Sequence, residues 1–302
     1  MDPATIEWDA CGLAPANYNT TKRINWRDQT AWKIIMTDSQ IGEWQRAGEE
    51  AARRAAEKLE DWRAKFSVRE KGRADLVTDA DYAAQNAVRS YLQSVLPSHD
   101  LLGEEDTPGT VKGRVSVDAP PTWIVDPLDG TSNYVHDVPF YCVSIGLMVK
   151  GELVVGVIFD PRQNELFSAA KGLGTTLNGK PMHVSPIAVL SGGMLSTGFP
   201  PNPEAQERNL AAWRTFSYQA QALRRTGSTA LNMAYTAVGR FDGYWAFDNF
   251  SWDVAAGVVL IQEAGGIVTR ADGSKLDVFQ PDILASNGHL HPEMLACLSS
   301  KS

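Results

Sequence analysis

Trp123-Ile124-Val125-Asp126-Pro127-Leu128-Asp129-Gly130-Thr131-Ser132-Asn133 is the stretch from which the rest of the chain can be read. Its first three residues are apolar and strand-favouring, and they deliver Asp126 at the end of the strand. Pro127 keeps Asp126 extended, because a proline ring clashes with an α conformation in the residue before it. The chain then turns through Leu128 and Asp129, and Gly130, with no β-carbon, lets the backbone come close to a ligand. A helix starting near Thr131 would offer free N–H groups and the positive end of its dipole beside the two aspartates. Carboxylates repel a phosphate, so cations must lie between them, and hard oxygen ligands select Mg²⁺, Mn²⁺ or Ca²⁺ over thiolate-loving metals. Taken alone, the string also reads as a β-turn followed by a capped helix.

Downstream, Tyr141 to Val149 and Leu153 to Phe159 read as strands joined at Gly151. Glu165 to Ala169 follows as another strand, with Asn178-Gly179 a hairpin-turn signal. Ser228 to Val238 and Trp252 to Glu263 read as helices, Gly243 to Phe247 and Gly266 to Thr269 as strands. Upstream, Trp44, Ala47, Ala51, Ala55, Leu59, Trp62 and Phe66 recur every three or four positions, which predicts an amphipathic helix from Ile41 to Phe66. A second helix is expected from Thr78 to about Leu96. Residues 1–40 mix Trp8, Trp26 and Trp32 with Asn, Thr and Pro without a sustained period, and read as an N-terminal extension of unknown role lying over the main body. With no repeat or low-complexity linker, residues 41–302 are read as one unit with sub-halves of about 41–185 and 186–302.

The 302 residues carry a formal net charge of −8, which argues against the basic phosphate clamp of a nucleic-acid binder and leaves a small molecule as the expected partner. Cys11, Cys142 and Cys297 are far apart and outside any CxxC pattern, so neither a disulfide framework nor a thiolate zinc site is indicated. The acidic N-terminus lacks the order of a signal peptide, and no apolar run approaches the roughly 18 residues of a membrane span. A soluble cytoplasmic protein with no membrane partner is expected.

Further acids stand beside apolar elements: Asp81 in Asp75-Leu76-Val77-Thr78-Asp79-Ala80-Asp81, Glu104 in Leu102-Gly103-Glu104-Glu105-Asp106, and Asp253 in Trp252-Asp253-Val254-Ala255-Ala256-Gly257. With these, the chain from about Ile41 to Ala285 resembles the inositol monophosphatase family, part of the lithium-sensitive, metal-dependent phosphatase superfamily. The resemblance rests on four blocks in order: Asp75 to Asp81, Gly103-Glu104-Glu105, Trp123 to Asn133, and Trp252 to Gly266 with its Glu263-Ala264-Gly265-Gly266 ending. It implies an α/β layered fold, the αβαβα sandwich of the inositol monophosphatase and fructose-1,6-bisphosphatase type, assembled as a homodimer. It further implies two or three Mg²⁺ ions held by Glu104, Asp126, the Leu128 carbonyl, Asp129 and Asp253, with Asp126 bridging two of them. Thr131 and Glu104 would help to deprotonate the attacking water, with Asp81 in support. Substrate contacts would come from Gly130, Thr131 and Ser132, from Gly227 and Ser228, and from the neighbourhood of Ala246 and Asp248. Plainer readings stand beside these: Asp81 completes a capping box with Thr78, Asp253 suits the dipole of a helix start, and Glu104 belongs to an acidic loop.

Other patterns carry less. Gly174-Thr175-Thr176-Leu177-Asn178-Gly179-Lys180 has P-loop spacing, but Pro181 stands where a Mg²⁺-binding Ser or Thr belongs, and a hairpin is the better reading. None of the five histidines lies in an HExxH pattern, and there is no GxSxG. His136 reads as structural, and Arg224-Arg225 equally as a solvated pair or a substrate contact. Where inositol-directed members place a glutamate seven residues before the last metal aspartate, this chain has Ala246. Asp248 would share its face if the strand continues. The expected reaction is hydrolysis, by metal-activated water, of an inositol phosphate or a related polyol or sugar phosphate. A 3′(2′),5′-bisphosphate nucleotidase and a histidinol-phosphate phosphatase are the alternatives within the superfamily. A non-catalytic binding protein that keeps the fold is the rival from another class.

Overall fold

In the computed structural model, which describes residues 36–72, 75–106, 114–200, 203–280 and 282–299, the first amphipathic stretch folds as α1 (Asp38–Trp62). The chain divides into Met1–Thr37 and a unit of Asp38–Ser302, and every described helix and strand belongs to the second. The extension read at residues 1–40 lies, through residue 35, outside the described residues. Helix α1 turns Ile41, Trp44, Ala51, Ala52, Ala55 and Leu59 inward. It stops short of Phe66, at Trp62, and the Arg63 guanidinium just past its end donates to Tyr141 Oη and Asp137. Phe66 instead packs from the loop onto the Tyr134 ring, centroids 5.1 Å apart.

A hairpin of β1 (Val68–Gly72) and β2 (Asp75–Thr78) leads into α2 (Asp79–Val95), which packs Ala80, Ala84, Val88 and Leu92 toward α1 and the sheet beyond. That sheet takes its seven strands in chain order: β3 (Asp100–Gly103), β4 (Thr122–Asp129), β5 (Cys142–Val149), β6 (Glu152–Asp160), β7 (Glu165–Ala170), β8 (Gly174–Leu177) and β9 (Lys180–Met182). Neighbouring strands are antiparallel except β3 and β4, which run parallel. A short α3 (Thr131–Val135) joins β4 to β5. The β5–β6 and β8–β9 turns use Lys150-Gly151 and Asn178-Gly179, all four with positive φ, as the tightest hairpins require. The P-loop-like spacing is therefore a hairpin.

The second half contributes β10 (Met194–Thr197), α4 (Pro203–Gln219), β11 (Ala222–Arg224), α5 (Thr229–Ala237), β12 (Gly243–Ala246), α6 (Ser251–Glu263), β13 (Ile267–Thr269), β14 (Ile283–Ser286) and α7 (His291–Ser299). Its five strands lie in the order β11-β10-β12-β14-β13. Helices α5 and α6 lie between the two sheets, and α4 and α7 cover the far face of the second. The layers thus run helices, sheet, helices, sheet, helices, which is the αβαβα order. Being buried on both sides, α6 is apolar nearly all round. Its approach to the first sheet needs glycine: a Cβ on Gly156 would stand 2.3 Å from the Ala256 carbonyl oxygen, and one on Gly146 2.8 Å from the Ala255 Cβ. Among the described residues no helix is long and apolar enough to cross a membrane.

Candidate active site

The parallel pairing of β3 with β4 brings the first acids together. Gly103 is in register with Val125, so the next residues, Glu104 just past the end of β3 and Asp126 within β4, come side by side. Residues three apart on a regular strand point to opposite faces. Between Asp126 and Asp129, however, the register with β5 shifts by one residue, Asp126 opposing Ser144 and Asp129 opposing Cys142. The bulge contains Pro127, which has no N–H for the ladder, and the extra residue returns Asp129 to the face of Asp126. Asp253 arrives from the first turn of α6, where its Oδ2 accepts the Phe250 N–H at 2.7 Å. Ser144, the cross-strand partner of Asp126, donates to the Trp252 carbonyl at 3.3 Å, so α6 starts directly against β4 and β5.

Asp81 divides its two oxygens. Oδ2 accepts the Thr78 N–H at 2.8 Å and the Thr78 hydroxyl at 2.6 Å, the capping box expected of a helix start. Oδ1 faces the Thr131 hydroxyl at 3.5 Å, and that hydroxyl also donates to the Leu128 carbonyl at 3.0 Å. The cap and the site-facing role therefore coexist in one side chain.

The electrostatics reflect crowding of like charge. Burial holds the Asp126 carboxyl well above the usual carboxylate range, and the charges of Glu104, Asp129 and Asp253 push the same way. Burial takes Asp129 up to about 6, against hydrogen bonds from Ser228, Ala230 and Thr229 that favour its ionised form. Asp81 rises to about 7, through burial first, with Glu104 and Glu105 adding to the effect. Among the described residues no Lys, Arg or His pairs with Asp126 or Asp129.

This is a donor set of oxygens only, with more negative charge than the protein neutralises, and it fits a hard divalent cation. As they stand, no three acidic, histidine or cysteine side chains among the described residues close around one ion. Asp129 is held by the start of α5: its Oδ2 accepts from the Ser228 hydroxyl and the Ala230 N–H while Oδ1 accepts the Thr229 N–H. A carboxylate offers about four lone-pair sites, so those bonds do not exhaust it.

The remaining site residues depart from expectation in detail. Gly130 has φ +99°, but the close approach is to its own chain: a Cβ there would lie 3.1 Å from the Phe140 carbonyl oxygen. Ser132 is exposed on α3. The Ser228 hydroxyl is buried, caps α5 by accepting the Leu231 N–H at 3.1 Å, and donates to Asp129, so it faces no open pocket. Gly227, at φ +94°, makes room for Asn133, whose Nδ2 would lie 2.8 Å from a Cβ. Ala246 is buried at 2% exposure rather than lining open space. Asp248 does not share its face through the strand: β12 ends at Ala246, and Asp248 takes φ +60° with its N–H directed at Asp282 Oδ1, 3.4 Å away.

Three side chains carry no signal of their own in the sequence reading. Asn133 Nδ2 donates to the carbonyls of Phe140 at 2.7 Å and Thr226 at 2.9 Å, tying the loop after β4 to the segment before α5. Thr229 Oγ1 and Tyr244 Oη lie 2.9 Å apart beside Asp129. Tyr244 could have been singled out by the two-residue period of β12, which puts it on the face of Ala246.

A sequence profile described as the inositol monophosphatase family matches residues 41–302. An inositol-1-monophosphatase of Synechocystis sp. is 39% identical over 275 residues, spanning 90% of this chain and 94% of the relative. A Nus factor SuhB of Pseudomonas aeruginosa is 39% identical over 225 residues, 74% of this chain and 82% of the relative. Among solved structures, an extragenic suppressor protein suhB from Bartonella henselae superposes with a TM-score of 0.79 at 34% identity, covering 86% of this chain and 100% of that one.

Proposed function

The chain belongs to the inositol monophosphatase family, and from that premise we propose that it is a Mg²⁺-dependent phosphomonoesterase of a small phosphorylated polyol or sugar. The observation that carries the reading is the convergence of Glu104, Asp126 and Asp129 at one strand end, against Asp253 at the start of α6. Glu104, Asp126, the Leu128 carbonyl, Asp129 and Asp253 would hold two or three ions. Bound there, Mg²⁺ supplies the positive charge that makes water more acidic and stabilises negative charge on the phosphoryl and leaving oxygens.

The chain's own part is positional and acid–base. The proton of the attacking water would go either to Glu104 or to Asp81 by way of Thr131, whose hydroxyl, set between the Leu128 carbonyl and Asp81, gives up its own proton as it receives one. Asp81 stands behind Thr131 with its second oxygen fixed by Thr78, so it can hold that proton without moving. No side chain is needed as a nucleophile, so the reaction passes through no covalent phosphoenzyme. On the resemblance, the catalytic unit is residues 41–302, the enzyme works in the cytoplasm as a homodimer, and millimolar lithium inhibits it.

Phosphate release from a panel of phosphorylated metabolites, with Mg²⁺ and with excess chelator, tests the proposal. Turnover with Mg²⁺ that vanishes with chelator is expected; full turnover in chelator overturns the metal mechanism. Because one relative is named a Nus factor, a binding role without catalysis is the second reading. Mg²⁺ binding with no ester turned over would favour it.

A further inference from the structure

The wall beside Asp129, away from α3, is built from neutral groups. A Cβ on Gly198 would meet Tyr244 Oη at 3.2 Å, Thr229 Oγ1 at 3.7 Å and the Ala246 Cβ at 3.9 Å, so these four residues surround one small space at the ends of β10 and β12. No carboxylate stands among these four; Thr229 and Gly198 are partly exposed, and Tyr244 and Ala246 are buried. The Thr229–Tyr244 hydroxyl pair can bond a substrate hydroxyl, but it offers nothing to a charge.

A charge stands next to this wall. Residues 225–229 cross the front of Asp129 as a segment fixed at three points: the Thr226 carbonyl on Asn133, the Ser228 hydroxyl on Asp129, and the Thr229 N–H on Asp129. Arg225 lies one residue before the first of these anchors, so its backbone adjoins the segment that bonds Asp129. It is exposed, and among the described residues it makes no hydrogen bond or ion pair. Burial raises the Tyr244 phenol, the charges of Asp129 and Asp253 push the same way, and the charge of Arg225 opposes them in part. Arg224, its neighbour, turns back onto the Leu223 carbonyl at 2.9 Å and is not available in the same way.

We propose that Arg225 is a specificity-determining residue that receives an anionic group on the leaving-group side of the substrate, so that phosphomonoesters carrying a second negative charge there are preferred over those with a neutral polyol. The proposal rests on the phosphatase reading above. A planar guanidinium with free donors matches a carboxylate or a second phosphate in bidentate fashion, whereas a neutral polyol leaves it in water. In the same space an inositol-directed carboxylate would repel such a substrate; Ala246 does not.

The test compares 3-phosphoglycerate with glycerol 3-phosphate, which share a carbon skeleton and differ by one carboxylate far from the scissile bond. With Mg²⁺ present, kcat/KM should favour 3-phosphoglycerate by about tenfold or more, chiefly through KM, and the ratio should shrink as salt is raised. R225Q should bring the ratio close to one, and R225K should restore part of it. Equal kcat/KM for the two esters in the unmodified chain, or an undiminished preference in R225Q, overturns the proposal. p-Nitrophenyl phosphate in the same assay separates the possible failures. If it is hydrolysed while the carboxylate confers no advantage, the assignment of Arg225 alone falls; if no ester is hydrolysed, the phosphatase reading falls with it.

Discussion

Asp126 concentrates the chemistry of the site into one residue. Its folded pKa is raised, so between the ordinary carboxyl value and that raised value the folded state holds a proton that the unfolded state has lost. Stability without metal must therefore fall as pH rises through that window. Asp126→Asn removes the charge while keeping an oxygen for the Leu128 N–H, 3.0 Å away. In chelator, D126N should melt a few degrees above the parent, with a margin that widens from pH 5 to pH 8. With Mg²⁺ its kcat should fall by about a hundredfold or more, since even residues that merely support a metal's ligands are worth 10–100-fold. Melting curves and phosphate release on one preparation check both. A variant that is destabilised in chelator would mean that Asp126 is a fold residue first.

At the level of elements, the functional groups stand at the ends of β3 and β4 and at the starts of α5 and α6, and α7 is tied down elsewhere. His291 opens α7 and bonds two strands at once, Nε2 with Thr269 Oγ1 at 3.0 Å and Nδ1 with Ser286 Oγ at 2.9 Å. Burial lowers its pKa to about 4, so the folded state holds it neutral while the unfolded chain protonates it near the ordinary 6.5. The unfolded state thus binds more protons in that window. The contribution of His291 is complete above about pH 6.5 and is lost as pH falls toward 4, a loss of roughly 3 kcal/mol at most. Urea unfolding of parent and H291Q at pH 7 and pH 5 should show the parent's advantage shrinking at the lower pH. An advantage independent of pH would place the value of His291 in packing alone.

For the whole molecule, the site is a seam between the two sheets. Glu104, Asp126 and Asp129 come from the first sheet, and the α5 and α6 starts come from the second half of the chain. Asn133 bridges the seam, and Asn133→Ala leaves the Phe140 and Thr226 carbonyls without that partner. A loss of about 1–3 kcal/mol of stability is expected. Mg²⁺ affinity should weaken as well, because the loop that carries Asp126 and Asp129 is no longer held against α5. Unfolding and Mg²⁺ titrations of N133A measure the two effects, and unchanged Mg²⁺ affinity would show that the halves are aligned by the interlayer core alone.

Local chemistry was enough for part of this. The period of Trp44 to Leu59, the Thr78 cap, the turns at Gly151 and Asn178-Gly179 and the run into Asp126 each rest on residues within a few positions of one another, and sequence alone determined them. Strands β3, β10, β11 and β14 are not read from the sequence; each is three or four residues long and is held by pairing with strands distant in the chain, whereas β12 and β13, equally short, begin at or just after glycines that mark their starts. The strand after Gly243 ends where β14 stops pairing with it, which is why Asp248 does not stand beside Ala246. The acids were legible as acids from the chain. That Asp129 rejoins the face of Asp126 depended on a bulge read against β5, and that Asp129 is held by α5 depended on residues about a hundred positions away. Spacing along the chain carries propensity, caps and turns, whereas the direction of a side chain at a seam is set by packing between elements that meet only when folded.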